Sequence, residues 1–243
     1  MAVVGLCSFA PMPQNTHAVV LSENTPGIAC VETLQDHFKK ADNEIHSNGR
    51  DVIIVPGFMG GQLTMQPLSS ALQAKGYKTH DWGAGVNLGA DIARAHNFEQ
   101  TLLNVYETNG QKPVALVGYS LGGSYARELA RKYPNKVDNV ITLASPINMN
   151  LHGVDKISIA YGGDGDVSKP LDVPTSSFLS ASDWMVGWQN ALSTDKTLAE
   201  NVVIRPGHIR VAFADSVHNM VAERLAQPSN SWTSLQQKYC QTR

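Results

Sequence analysis

Charge is scarce in this chain. Asp, Glu, Lys and Arg make up 16% of its 243 residues, below the usual quarter. The formal net charge is only −2 and the pI is near 6.4. No basic stripe interrupts this balance, which argues against a nucleic-acid partner and against electrostatic binding to an anionic membrane. Long apolar runs are missing too. None approaches the roughly 20 residues that cross a bilayer, so stable membrane insertion is not expected. Cysteine is limited to Cys7, Cys30 and Cys240. An odd count excludes a complete disulfide framework and leaves at most one bridge, such as Cys30 to Cys240, with the compartment undecided. Internal repeats, low-complexity tracts and Gly/Ser linkers are absent, so one domain spanning 1–243 is expected, with a core at about 51–227. The opening run Met1–Ala10 is apolar but short and has no basic residue; an export-signal stub and a disordered end both remain open.

What the chain does have is alternation. From residue 51 onward, short apolar runs at Val52–Val55, Lys78–Trp82, Val114–Gly118, Val137–Leu143, Ile157–Tyr161 and Val202–Arg205 read as strands. Helical stretches read at Gln62–Lys75, Ile92–Thr108, Leu121–Tyr133 and Asp215–Gln227. Near-continuous apolar strands separated by helices predict an α/β fold with a mostly parallel sheet covered on both faces. The first 49 residues add one helical segment around Ile28–Ala41. Residues 168–200 break the alternation and read as an insertion, either a lid over the site or a surface excursion. Trp184, Met185 and Trp188 within it are candidates for an acyl pocket or for core packing.

The pentapeptide Gly118-Tyr119-Ser120-Leu121-Gly122 lies between a strand and a helix. In that context G-x-S-x-G makes a strained turn that exposes a nucleophilic serine and aims backbone N–H groups at it. A serine needs a base, and the base an orienting acid. On a parallel α/β sheet these follow in the order acid, then histidine. His17, His37, His46, His80 and His96 precede Ser120, and His152 has no acid ahead of it after a strand. His208, just after the last strand, is the favoured base; His218 falls inside a helical run. Asp164, in Gly162-Gly163-Asp164-Gly165-Asp166-Val167, is the favoured acid, with Asp166 as substitute. A calcium site on Asp164 and Asp166 is the alternative chemistry there, although the spacing of an EF-hand is absent. The backbone N–H groups of Phe58, in a Gly-rich turn after the first strand, and of Leu121 are the candidate oxyanion donors.

With Pro56-Gly57-Phe58, Gly118–Gly123, Thr142-Leu143-Ala144-Ser145-Pro146 and Gly207-His208-Ile209, the chain resembles the α/β-hydrolase superfamily, and more closely its compact bacterial serine lipases and esterases. The acid turn is similar to that of the lecithin–cholesterol acyltransferase-like branch. The resemblance covers about three-quarters of the chain, and residues 1–49 carry no motif that matches. It implies a Ser120–Asp164–His208 triad, an oxyanion hole at Phe58 and Leu121, an ester or lipid substrate, and no metal or organic cofactor. Acyl transfer to an alcohol, thioester or amide cleavage, and a non-catalytic binding scaffold use or inherit the same residues. The oligomeric state is not legible.

Overall fold

A computed structural model describes residues 31–40, 47, 49–149, 153–193, 199–227 and 231–239. The possible Cys30–Cys240 pairing and the opening run lie outside them. Six strands, β1 (Asp51–Val55), β2 (Lys78–Asp81), β3 (Val114–Tyr119), β4 (Val137–Leu143), β5 (Thr175–Ser180) and β6 (Ala199–Ile204), form one sheet in the order β2-β1-β3-β4-β5-β6. Every pairing is parallel. The order reverses between β1 and β3, which makes the crevice beyond their carboxyl ends the natural ligand site of such a sheet.

Burial follows the two-residue period of a strand. Val52 and Ile54 face one core with Val117, Phe178 and the helices α1 (Val31–Lys40), α2 (Gln62–Ala74) and α7 (Asp215–Ala226). Ile53 and Val55 face the other with Leu116, Trp82 and the helices α3 (Ile92–Thr108), α4 (Leu121–Lys132) and α5 (Val154–Ala160). Sheet burial on both sides explains why β1 and β3 lack a polar face. Two short helices, α6 (His208–Val211) and α8 (Leu235–Tyr239), and a 3-10 helix at Trp188–Ala191 are the remaining elements among the described residues.

The structure corrects two expectations. Ile157–Tyr161, expected as a strand, belongs to α5 and its end. Val154, Ile157, Ser158 and Tyr161 are buried while Ile159 is exposed, the i, i+3, i+4, i+7 spacing of a helix face. The fifth strand instead lies inside residues 168–200, so that stretch is no simple insertion: Thr175–Ser180 is wholly buried within the sheet. Its polarity hid it. The hydroxyls are absorbed locally: Ser176 Oγ donates to Glu200 Oε1 at 2.7 Å, and Thr142 Oγ1 donates to Ser177 Oγ at 3.1 Å. Glu200 is in turn paired with the buried Arg224 at 2.6 Å.

Candidate active site

Ser120 sits between β3 and α4 at φ 51°, ψ −127°, a conformation that a non-glycine residue adopts only under strain held by its surroundings. Close packing enforces it. A Cβ on Gly118 would lie 2.4 Å from Gly123 Cα, and one on Gly122 would lie 2.3 Å from the Val55 carbonyl oxygen. Both are impossible approaches, so the glycines of the pentapeptide let α4 cross directly over β1 and β3. The Ser120 N–H is tied to the Leu143 carbonyl at 2.8 Å, which anchors the elbow to β4.

His208 opens α6, directly after β6 and Gly207. Its Nε2 lies 3.0 Å from Ser120 Oγ and its Nδ1 lies 2.6 Å from Asp183 Oδ2. Asp183 follows β5. Its other oxygen, Oδ1, accepts the N–H groups of Met185 at 2.8 Å and Val186 at 2.9 Å. Burial alone would raise the pKa of Asp183, yet the His208 hydrogen bond, the Val186 N–H, the His208 charge and the Met185 N–H together hold it below the usual carboxylate value. An ionised, hydrogen-bonded carboxylate on Nδ1 fixes the tautomer that leaves Nε2 free to accept a proton.

Asp164 and Asp166 are elsewhere. They follow α5 and precede β5, on the outer flank where Arg127 and Arg131 donate to the carbonyls of Val167, Lys169 and Pro170. Asp164 is exposed and paired with Lys169, whose hydrogen bond lowers its pKa; Asp166 accepts from Ser168. Neither meets His208. The acid must leave a strand's carboxyl end to reach the histidine, and Asp164 leaves a helix. As for the calcium alternative, no group of three or more metal-ligating side chains occurs among the described residues. His218 is buried in α7 with Nε2 2.9 Å from the Ala212 carbonyl oxygen, away from Ser120.

The turn after β1 is built around close contact with the serine. A Cβ on Gly57 would meet Ser120 Cβ at 2.9 Å and Tyr119 Cδ1 at 3.0 Å, so only glycine lets this backbone reach the nucleophile. Asn87 shapes the turn from the other side. Buried completely, it donates from Nδ2 to the Pro56 carbonyl at 2.8 Å, accepts Met59 N–H at 2.7 Å and donates its own N–H to Gly60 O at 2.8 Å. Phe58 stands within that braced turn, and Leu121 is the first residue of α4, whose N–H has no partner inside the helix. Tyr119 links the parts: its hydroxyl donates to the His208 carbonyl at 3.1 Å. Burial, then the Asp183 charge, push its pKa up to about 12, so it stays a neutral donor at working pH.

Trp188 packs in a small core with Leu179 and Val203, whereas Trp184 and Met185 are exposed beside Asp183. Core packing therefore holds for Trp188 alone.

The alpha/beta hydrolase fold family model matches residues 52–164. No curated protein matches the sequence. Among solved structures, the thioesterase domain from the curacin biosynthetic pathway superposes with TM-score 0.53 at 18% identity, covering 73% of this chain and 92% of that one. A lipase-esterase related protein from Clostridium acetobutylicum gives 0.56 at 15% identity over 73% and 93% of the two chains. A monoacylglycerol lipase from Paleococcus ferrophilus gives 0.56 at 12% over 72% and 93%. Identities this low speak for fold alone. With its all-parallel sheet, its serine elbow at the switch point and these matches, the chain has the alpha/beta hydrolase fold.

Proposed function

We propose that this protein is a serine carboxylic-ester hydrolase working through an acyl-enzyme, with Ser120 as nucleophile, His208 as base and Asp183 as the orienting acid. The single observation that carries the reading is the continuous chain Ser120 Oγ–His208 Nε2 at 3.0 Å and His208 Nδ1–Asp183 Oδ2 at 2.6 Å. His208 takes the hydroxyl proton as Ser120 Oγ bonds to the ester carbonyl carbon. Asp183 stabilises the imidazolium. The oxyanion falls to the N–H groups of Phe58 and Leu121, each such donor being worth about 10²–10³ in kcat. Collapse expels the alcohol, which takes the proton from His208. Water then adds to the acyl carbonyl with His208 again as base, releasing the acid and restoring Ser120. No step draws on a metal or organic cofactor.

Release of p-nitrophenol from acetate and octanoate esters by the native chain and by Ser120→Ala tests this. A loss of several orders of magnitude is expected, as large as about 10⁶ for a triad serine; equal rates would refute the nucleophile. An acyl-thioester arm and an added short alcohol sort leaving group and acceptor within the same chemistry.

A further inference from the structure

Folded proteins bury their large apolar side chains or scatter the remainder singly. Here the remainder gathers around the serine. Phe58 and Met59 are exposed in the turn after β1, and Val86 and Leu88 in the turn after β2. The two turns are bonded to each other through Asn87, and a Cβ on Gly61 would lie 3.7 Å from Val86 Cγ2. Leu63 in the first turn of α2 is 86% exposed, and Ile92 at the start of α3 is 71% exposed. Across the crevice, Trp184 follows Asp183 and is 69% exposed. Ile209 and Phe213, beside and beyond His208, are exposed too. All these positions belong to the end of the sheet where the parallel strands deliver their carboxyl termini. Among the described residues, Ile159 is the one exposed large apolar side chain away from it.

Charge is withheld from the same end. Residues 56–74, 82–90 and 184–193 contain no Asp, Glu, Lys or Arg at all, and 206–214 contain Arg210 alone; the Asp91–Arg94 ion pair, 3.5 Å apart beside Ile92 and Val86, adds no net charge to the rim. Among the described residues, no helix is long and apolar enough to cross a membrane. A nearly uncharged, apolar rim surrounding a nucleophile complements an uncharged apolar surface. It does not complement a polyanion, an anionic bilayer or a charged protein partner.

We propose that this end of the molecule docks on the surface of aggregated neutral ester, a droplet or micelle of water-insoluble substrate, and that Ser120 takes its ester from that surface. The choice of aggregate rests on the ester-hydrolase reading; docking itself needs no turnover, so the two fail separately. The full chain carrying Ser120→Ala is mixed with emulsified triolein and floated by centrifugation, alongside the same chain also carrying Leu63→Gln, Ile92→Gln and Phe213→Gln, three exposed sites of the rim. None of the three has a role in the triad or the oxyanion turn. The expected result is co-flotation of the first protein and a drop in its partition of at least about tenfold for the second, since burial of three large apolar side chains is lost. The triple variant with Ser120 intact should hydrolyse dissolved p-nitrophenyl acetate at the native rate. The single change Leu63→Gln, at the most exposed of these sites, gives a smaller drop in partition and guards against misfolding of the triple variant. Equal flotation of both proteins, or flotation of neither, overturns the proposal. So does binding only to anionic vesicles, or self-association through this face without droplet binding.

Discussion

Asp183 Oδ2 lies 2.6 Å from His208 Nδ1, and both side chains are almost wholly withdrawn from water. A carboxylate buried at that distance from an imidazole fixes which nitrogen carries the proton. Replacing Asp183 with Asn should lower kcat by about 10⁴, the loss known for a triad aspartate that becomes an amide, with KM little changed. Asp164→Asn should leave both constants near native, because Asp164 contacts Lys169 on the outer flank. Steady-state kinetics on the two variants checks this; the opposite ranking would return the acid role to Asp164.

Much of the frame was legible because its signals are local. The apolar runs of β1, β3 and β4 and the elbow glycines speak through their own neighbours. Ser120 and His208, which the structure brings to 3.0 Å of each other, each follow a strand readable from hydrophobicity. Asp183, whose carboxylate meets His208, is not legible, because its strand, Thr-Ser-Ser-Phe-Leu-Ser, looks like a loop until Glu200 and Thr142 are seen to engage its hydroxyls. With β5 hidden, the segment Ile157-Ser158-Ile159 reads as the strand in its place and puts the candidate acid at Asp164, which the structure pairs with Lys169 and not with His208. Long-range hydrogen bonds, invisible in a one-dimensional pattern, made the difference.

Asn87 braces the turn that holds Phe58, with its amide on the Pro56 carbonyl. Asn87→Ala should loosen the oxyanion donor and cost on the order of 10² in kcat, the scale of one such donor, while KM moves little. A trifluoromethyl ketone, which forms an anionic tetrahedral adduct, should lose affinity in parallel. Unchanged inhibition by the ketone would show that Asn87 acts only on folding.

Gly122 admits no side chain, since a Cβ there would meet Val55 O at 2.3 Å and Pro56 O at 2.6 Å. Gly122→Ala should therefore destabilise the fold by about 2 kcal/mol or more, as steric overpacking of a core does. Urea titration of the variant against the native chain measures it, and an unchanged midpoint would contradict the close crossing of α4 over β1.

His218 supplies an acid-side limit to stability. Burial holds its imidazole below the ordinary 6.5, outweighing the opposing pull of the Ala212 carbonyl and Asp215. The unfolded chain then binds this proton more readily than the folded one, so stability is full above pH about 6.5 and falls as pH drops below it. The lowered pKa of Asp183 contributes its loss only further down, below about pH 4. Unfolding midpoints should decline between pH 7 and 5 in the native chain, and less steeply in His218→Gln. Parallel slopes would remove His218 from the account.

The central claim is that Ser120 carries the acyl group. Native protein mixed with p-nitrophenyl acetate, quenched in acid within milliseconds and analysed by intact and peptide mass spectrometry, tests it most directly. The account expects one added acetyl group, located on Ser120, lost on longer incubation and missing in Ser120→Ala. An acetyl group on another residue, or ester turnover that persists in Ser120→Ala, would contradict it.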